Sequence, residues 1–474
     1  MTPSPDGPRP DPPAPGGPPS GPLAGDSDLG PRLDPASRQA LQQIVEQSRA
    51  VLARDPRNLA ARRDLGSALY QLGEVAAATN ELEQVVKRDP RDAGARYLLA
   101  LCLAEGARLD EAATHLRQVV KVRPRHALAH YFLGRILGLQ GRLAEAEAAV
   151  RRAVDIQPHP RMITYLGELY LSLGDLGRAA ACWRKLLEMD PGDHHARRNL
   201  VATYVDRGMY DQAIEEGNRA LVAGASHPAL YYNLGLAYLR RGDVEQSIEH
   251  LERAHAIDAA HIPTLVALGE AYATAGRLAE AGQAWEKVLE RDPGNPVALY
   301  DLGVAALREG RPEGAASYWR QVLAGGSGFL PARRALATLL VQQGRATEGI
   351  ALWEEVVRAE PRNAEARSYL AQTLLLSGEF ERARQAAREA AELDADDPRS
   401  AVVELLASAR RDDELGVVRS LRRAARIRGF VPRALAACRD ILDPEELKRW
   451  SERLKDRTAA RVLALLLDEL MQAP

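Results

Sequence analysis

Histidine is the residue type in this sequence best suited to bind a metal ion, and its spacing does not favour such a site. His126 and His130 are four residues apart, so they could share one face of a helix. No carboxylate or third ligand accompanies them at the usual spacing, and His126 precedes the helix that it would need to lie on. His194 and His195 are adjacent, so their side chains point in different directions. We therefore expect no metal site.

Cysteine could supply a nucleophile or a disulfide framework, but Cys102, Cys182 and Cys438 are far apart and form no Cys-x-x-Cys pair. The sequence also has no GxxxxGK[ST] loop for nucleotide phosphates. We find no pair of nucleophile and base in the C-terminal segment. These observations predict a protein that is not an enzyme and that has no cofactor.

Arginine is concentrated in the segment RSLRRAARIR, which contains five arginines and no acidic residue: Arg419, Arg422, Arg423, Arg426 and Arg428. The first four fall on one face of a helix, a spacing that could bind phosphates or an acidic partner. The alternative is a solvated helix face, or pairing with Asp412, Asp413 and Glu414. Both interpretations remain open at this point.

The elements that must position these residues follow from a 34-residue pattern that occurs ten times between Leu59 and Asp397. The copies begin at residues 59, 93, 127, 160, 194, 228, 262, 296, 330 and 364, and the third is shorter by one residue. Position 20 is small in every copy, position 8 is Gly or Ala in nine, and position 15 is Gly in nine, with Ala107 the exception. Since Gly ends a helix at low cost and Asp-Pro suits the start of the next, each copy is predicted to be helix, turn, helix, turn.

This pattern, with an aromatic or large apolar residue at position 24 and Pro at position 32, resembles the tetratricopeptide repeat. The resemblance implies an all-α fold, a right-handed superhelical α-solenoid in which the first helix of each repeat lines a concave groove. It also implies that this groove holds peptides or partner helices.

The predicted groove residues occupy positions 2, 5, 9, 12 and 13 of the first helices, on the side facing away from the second helices. Exposed Tyr and Arg are enriched at binding hot spots, because each combines a large contact area with a polar end. The alternative is that some of these tyrosines pack only against adjacent repeats. The candidate set is Arg63, Tyr70, Tyr97, Leu101, Tyr131, Arg135, Glu168, Arg198, Tyr232, Leu236, Arg240, Glu270, Tyr300 and Arg308.

Four tryptophans could suggest a ligand cage, but all of them occupy position 24, where the resemblance implies a core aromatic between the two helices. They are Trp183, Trp285, Trp319 and Trp353. We therefore predict that they belong to the core.

A carboxylate clamp of the kind found in chaperone-binding members of this family is not favoured. Arg198 and Asn233 fit two of its places. However, Ala202 replaces a required Asn, and Pro263 and Ala267 stand where a basic pair belongs.

Four segments are predicted. Residues 1–34 are dominated by Pro and Gly and indicate a disordered tail, which acts as a linker or docks on an aromatic groove of a partner. Residues 35–58 match a second helix without its first and indicate an N-terminal capping helix. The ten repeats occupy residues 59–397, and residues 398–474 form a C-terminal helical module with helix starts near Asp412, Pro432 and Asp443.

The fifth repeat is the most irregular, since it has Val201 at position 8 and Gly217 at position 24. This combination predicts weaker packing there. The joints at residues 223–228 and 324–331, which replace the usual Asp-Pro, are also places where the stack could flex.

The formal net charge of −2 gives no reason to expect nucleic acid as a partner. The sequence contains no run of about 18 apolar residues, the length that would predict a membrane span. The expected location is the cytoplasm. Basic charge is almost entirely Arg, which suggests a GC-rich, bacterial genome.

The sequence thus predicts a non-enzymatic adaptor that holds protein or peptide partners in the concave groove. One alternative is a self-associating, homo-oligomeric scaffold whose surface is formed by Trp450, Leu454, Leu463, Leu466 and Leu470. Another is an anionic-ligand binder that uses Arg419 to Arg428.

Overall fold

The computed structural model describes residues 34–326 and 328–472, and within these ranges the chain forms 26 α-helices and no strand. The predicted tail at residues 1–34 lies outside the described residues except for Asp34. The predicted all-α class is therefore confirmed. A right-handed superhelix stays a prediction.

Each repeat consists of two helices, preceded in the chain by α1 (Pro35–Arg54). The first helices are α2 (Leu59–Gln71), α4 (Ala93–Glu105), α6 (Ala127–Leu139), α8 (Pro160–Ser172), α10 (His194–Asp206), α12 (Pro228–Arg241), α14 (Ile262–Thr274), α16 (Pro296–Arg308), α18 (Leu330–Gln342) and α20 (Ala364–Leu376). The second helices are α3 (Val75–Arg88), α5 (Leu109–Val122), α7 (Leu143–Ile156), α9 (Leu176–Met189), α11 (Tyr210–Val222), α13 (Val244–Ile257), α15 (Leu278–Arg291), α17 (Pro312–Ala324), α19 (Ala346–Ala359) and α21 (Phe380–Leu393).

The C-terminal segment contains α22 (Pro398–Ala409), α23 (Glu414–Ala424), α24 (Phe430–Cys438), a short 3₁₀ turn (Arg439–Ile441), α25 (Pro444–Arg453) and α26 (Arg457–Gln472). The predicted start at Asp443 is confirmed, because its carboxylate accepts a hydrogen bond from the N–H of Glu445 at 3.0 Å. The other two predicted starts lie within two residues of the observed helices. Asp413 caps α23, and α24 begins at Phe430.

The turns between the two helices of a repeat have the predicted left-handed residue. All nine glycines at position 15, from Gly73 to Gly378, have positive φ angles. Ala107, the exception in sequence, adopts the same conformation with φ 59°. The backbone of this turn is therefore the same in all ten copies, whatever the residue.

The small residues at position 20 lie against position 8 of the first helix, since a Cβ atom added at Gly134 would lie 2.9 Å from the carbonyl oxygen of Ala146. All ten are buried, including Ala78, Ser247 and Gly349. The prediction made from their size is confirmed, because a larger side chain would separate the two backbones.

The chain divides into two compact units, and the division falls between Thr264 and Leu265. The N-terminal unit has one continuous apolar core that extends from Leu41 to Tyr238. In the C-terminal unit, one core extends from Leu299 to Leu340, and another joins the last repeats to α22–α26. This division lies within the repeats, and the predicted segment boundaries stay predictions.

Candidate partner-binding face

The side of the first helices predicted to bind a partner is called the first-helix face here; it comprises positions 2, 5, 9, 12 and 13 of each repeat. Eleven of the fourteen candidate residues lie in the N-terminal unit. Glu270, Tyr300 and Arg308 lie in the C-terminal unit. The two parts of the face are described separately.

Position 5 recurrently contacts the residue that caps the first helix of the next repeat. Arg63 pairs with Asp92, with 3.3 Å between Nη1 and Oδ2, and Asp92 caps α4. The ring of Tyr97 lies 4.9 Å from the ring of His126, which caps α6. Side chains at position 5 therefore help to hold neighbouring repeats together.

Two more tyrosines follow this arrangement. The ring centroids of Tyr232 and His261 are 5.3 Å apart in the N-terminal unit. Those of Tyr300 and Phe329 are 5.5 Å apart in the C-terminal unit. The alternative considered from the sequence, that tyrosines pack against adjacent repeats, thus describes these contacts, although the residues remain partly exposed.

Position 12 also links repeats at the start of the array. The hydroxyl of Tyr70 donates a hydrogen bond to Oε1 of Glu105 at 2.9 Å. Burial, followed by the charge of Glu105, raises the pKa of Tyr70 far above its ordinary value. The hydroxyl therefore keeps its proton and remains a donor to Glu105.

Three candidates are buried, so the prediction that they are exposed is wrong for them. Leu101 is buried in the core, Tyr131 is 2% exposed, and Arg135 is 7% exposed. For Arg135 and Tyr131 the cause is Tyr165 at position 6 of the fourth repeat, because its ring covers the guanidinium of Arg135 at 5.2 Å from the ring centroid and meets the ring of Tyr131. Contact of these three residues with a partner stays a prediction.

These residues form a polar cluster beneath the first-helix face of the N-terminal unit. The rings of Tyr131 and Tyr165 meet edge to face, with centroids 6.1 Å apart. Arg135 lies over both rings, and its pKa is lowered, chiefly by burial. Burial also raises the pKa of Glu168, while the charge of Arg135 acts in the opposite direction.

The fifth and sixth repeats present a more accessible part of the face. Arg198, Tyr232, Leu236 and Arg240 are all partly exposed. The guanidinium of Arg198 donates to Nδ1 of His195, with 3.1 Å between the nitrogens. Position 9 thus changes from the buried Leu101 and Arg135 to the partly exposed Leu236 within one unit.

In the C-terminal unit, two candidates accompany an acidic residue that was missed from the sequence. Burial and the charge of Glu270 raise the pKa of Asp301 to about 7, while Arg308 acts in the opposite direction. Asp301 occupies position 6, outside the positions that were assigned to the face. Position 6 also supplies Tyr165, so including this position would have revealed both residues.

The four tryptophans at position 24 are all buried, as predicted. The indole N–H of Trp183 donates to Oγ1 of Thr203 at 3.2 Å. The indole N–H of Trp319 donates to the carbonyl of Tyr300 at 3.1 Å. These rings fill the space between helices and form no open cage.

The fifth repeat, predicted to pack weakly, has no empty space at Gly217. A Cβ atom added there would lie 2.4 Å from Cδ2 of Leu234, which fills the place of the missing side chain. Val201 is fully buried. Lower protection from hydrogen exchange in this repeat stays a prediction.

All three cysteines are buried. Burial raises the pKa of Cys102 to about 12, so its thiol is protonated near neutral pH. An open cleft of about 530 Å³ lies above it, lined in part by Thr79, Glu83 and Arg108. Within the described part of the chain, no three His, Cys, Asp or Glu residues are grouped so that they could hold a metal ion.

The arginine-rich segment differs from its prediction. Since α23 ends at Ala424, Arg426 lies beyond it and does not share a helix face with Arg419. Arg422 pairs with Asp456, and Arg423 pairs with Glu404, at 3.1 Å between Nη1 and Oε2. The prediction that four of these arginines share one helix face is therefore wrong. The suggested pairing with Asp412 to Glu414 is wrong for Arg422 and Arg423, which pair with other carboxylates.

The surface predicted for self-association is also wrong. Four of its five residues, Trp450, Leu454, Leu463 and Leu466, are buried in the core that α22–α26 share with the last repeats. Leu470 packs against the same core. These side chains stabilise the C-terminal unit and are not available for a second copy.

The helix pairs define a helical-repeat protein, and a comparison with family models identifies the kind of repeat. The tetratricopeptide repeat model matches residues 45–81, 64–115, 107–159, 166–228, 203–261, 266–328 and 334–398. The chain belongs to the tetratricopeptide repeat family. Membership supports a general role as a protein-interaction scaffold.

The chain is similar to solved structures of other proteins, three of which are given with the sequence identity and the share of each chain that is covered. MamA is 27% identical, with 34% of this chain and 94% of that chain covered and a TM-score of 0.32. A tetratricopeptide repeat protein from Parabacteroides merdae is 17% identical, with 55% and 98% covered and a TM-score of 0.42. YrrB, a TPR protein described as having an unusual peptide-binding site, is 20% identical, with 39% and 95% covered and a TM-score of 0.36.

A search of the curated proteins found no match. Among the described residues, no helix is long and apolar enough to cross a membrane.

Proposed function

We propose that this chain is a non-enzymatic adaptor that binds a protein or peptide partner on the first-helix face of its N-terminal unit. The observation that carries the proposal is the change in side-chain exposure at position 9 along the first-helix face. Leu101 and Arg135 are closed off by neighbouring side chains, whereas Leu236 remains partly exposed one helical turn after Tyr232, and Arg198 lies on the same face of the preceding repeat. A partly exposed apolar residue flanked by Tyr and Arg has the composition of a binding hot spot.

The proposed face is narrower than the set of fourteen residues. Tyr70 and Tyr97 contribute mainly to contacts between repeats, and Tyr131 and Arg135 lie beneath the surface. We therefore place partner contact at the fifth and sixth repeats. The cytoplasmic location and the bacterial origin stay predictions from the sequence.

Photo-crosslinking in the native cell tests this proposal. A benzoylphenylalanine at Leu236 is compared with one at Glu249, an exposed residue on the second helix of the same repeat. We expect the same protein partner to be crosslinked reproducibly from Leu236 and not from Glu249. Crosslinking from Glu249 alone would assign binding to the opposite side and reject the proposal.

A further inference from the structure

The contact between position 5 and the next capping residue has a different charge in the fifth repeat. At the first repeat, the cation Arg63 meets the carboxylate of Asp92, so the charge is neutralised within the chain. At the fifth repeat, Arg198 occupies position 5, and the residue capping the next first helix is His227. The carboxylate that would neutralise the arginine is thus replaced by an imidazole.

The recurring contact of position 5 with the next capping residue, seen for Arg63 with Asp92 and for Tyr97 with His126, puts His227 next to this arginine. The pKa of His227 is lowered first by burial, then by the positive charges of Arg198 and His195. The contact made by Arg198 is the one with Nδ1 of His195, and in the described residues no carboxylate pairs with its guanidinium. At this joint the first-helix face therefore carries a positive charge that no carboxylate of the described ranges neutralises through an ion pair.

The hydrogen bonds also fix which imidazole nitrogens carry protons. Nδ1 of His195 accepts from Arg198, and Nδ1 of His227 accepts from the backbone N–H of Ala229 at 3.1 Å. Each neutral ring therefore carries its proton on Nε2. Two Nε2–H groups and the guanidinium are thus hydrogen-bond donors, and none of the three has an anionic acceptor among the residues that the structure describes.

We propose that Arg198, His195 and His227 form a receptor for a carboxylate of an acidic peptide segment. This inference rests on the proposed function and names the chemistry of the partner. The bound carboxylate takes the place that Asp92 occupies beside Arg63. The residues differ from the chaperone-type clamp, whose places at Ala202, Pro263 and Ala267 remain unfilled.

A peptide fits this surface better than a nucleic acid. Tyr232 and Leu236 follow His227 along α12 by five and nine residues, and both are partly exposed. An apolar side chain of the peptide can pack there while its acidic side chain meets the three donors. A nucleic acid would need several successive phosphate contacts, and its binding is an outcome that the test separates.

The test uses the full chain and the fluorescence anisotropy of a short labelled peptide in which Glu alternates with Leu. A peptide with Lys in place of Glu and a single-stranded DNA of equal length serve as comparison probes. We expect the acidic peptide to bind at least about tenfold more tightly than either probe, since the site offers one charged guanidinium and two neutral N–H donors to a carboxylate. Equal binding of the lysine peptide or of the DNA would overturn the inference.

Four variants assign the binding to these residues. His227→Asp reproduces the arrangement of Arg63 with Asp92, so the new carboxylate should cap α12 and neutralise Arg198. The affinity for the acidic peptide should then fall by about tenfold or more. His227→Asn caps the helix without the charge and should cost less than about threefold. Arg198→Ala should match His227→Asp, whereas Arg184→Ala, which removes an exposed arginine from α9, should leave affinity unchanged.

These variants also guard against misfolding, because Asp and Asn both preserve the capping bond of α12. Wild-type affinity in both Arg198→Ala and His227→Asp would reject the receptor. If those variants bind normally while Leu236 still crosslinks a partner, the carboxylate receptor fails and the adaptor function survives. If crosslinking fails as well, both proposals are wrong.

Discussion

Gly303 and Trp319 fit together so closely that no Cβ atom has room at Gly303. A Cβ atom added at Gly303 would lie 2.3 Å from Nε1 of the Trp319 indole. The same nitrogen donates its hydrogen to the carbonyl of Tyr300, which fixes the ring in position. Positions 8 and 24 of a repeat therefore share one volume, and the tryptophan uses it fully.

Gly303→Ala should destabilise the C-terminal unit. The added methyl group must displace an indole that is fully buried. The free energy lost by this displacement exceeds the stabilisation from the higher helix propensity of Ala. We expect a net loss of about 2 kcal/mol, measured as a lower midpoint of urea unfolding.

Gly282→Ala is the matched control for that substitution. Gly282 lies inside α15 of the same unit, and a Cβ atom added there would meet nothing within 4 Å. It should stabilise the unit by about 1 kcal/mol, because Ala is the better helix former. If both substitutions stabilise, the close fit between Gly303 and Trp319 is not real.

The second prediction concerns Ala107, which adopts a left-handed backbone conformation. This conformation is unfavourable in free energy for a residue with a Cβ atom. Its φ angle of 59° matches the glycines at the same turn of the other repeats. Ala107→Gly should therefore stabilise the N-terminal unit by about 1 kcal/mol, seen as a higher midpoint of urea unfolding. The reverse change, Gly73→Ala, should destabilise it by a similar amount, and an opposite sign in either would contradict the assignment of this turn.

The turns and the core could be predicted from the sequence because each depends on one local constraint. A left-handed turn favours Gly, and a close approach of two helices needs a small residue. The residue types at Gly73 and Ala78 therefore indicate their structural roles directly. The capping role of Asp443 follows from the same kind of local geometry. Repetition strengthens these inferences, because ten copies test each position.

The candidate site was less predictable because exposure on the first-helix face depends on the next repeat. Arg135 occupies the same position as Leu236, but Tyr165 of the following repeat covers it. The burial of Trp450 likewise depends on how α25 packs within the C-terminal unit. Such packing involves residues far apart in sequence, and no local pattern encodes it.

Histidine caps give a third prediction, which concerns pH. Nδ1 of His126 accepts a hydrogen bond from the N–H of Ala129 at 3.1 Å, so protonation removes the cap of α6. The pKa of His126 is lowered in the folded chain, chiefly by burial and then by the positive charges of Arg123 and His130. This contribution to stability is therefore fully present above the unfolded pKa of about 6.5 and is lost as pH falls through the lower, folded value.

His126→Asn isolates this effect, since Asn caps a helix and does not titrate in this range. Below about pH 6 the variant should exceed the wild type in stability by roughly 1 kcal/mol, and above about pH 7 the two should converge. The measurement is the midpoint of urea unfolding across this pH range. A difference between the two proteins that does not change with pH would exclude a titrating cap.

A buried ion network gives the fourth prediction, for the C-terminal unit. The carboxylate of Glu404 is 3% exposed and accepts from Nε of Arg388 at 2.8 Å and from Nη1 of Arg423 at 3.1 Å. Ser400, also buried, accepts from Nη2 of Arg423 at 2.9 Å. One carboxylate thus links α21, α22 and α23, which joins the last repeat to the helices that follow it.

Glu404→Ala should destabilise this part of the unit by about 3 kcal/mol, because two partly buried arginines would lose the buried carboxylate that neutralises them. The expected result is faster tryptic cleavage within residues 398–472 and a lower midpoint of urea unfolding. Arg422→Ala is the control, since Arg422 forms an exposed pair with Asp456 and should cost less than about 1 kcal/mol. Equal effects of the two substitutions would mean that burial adds nothing to the network, and that α22 and α23 are held to the last repeat by apolar packing alone.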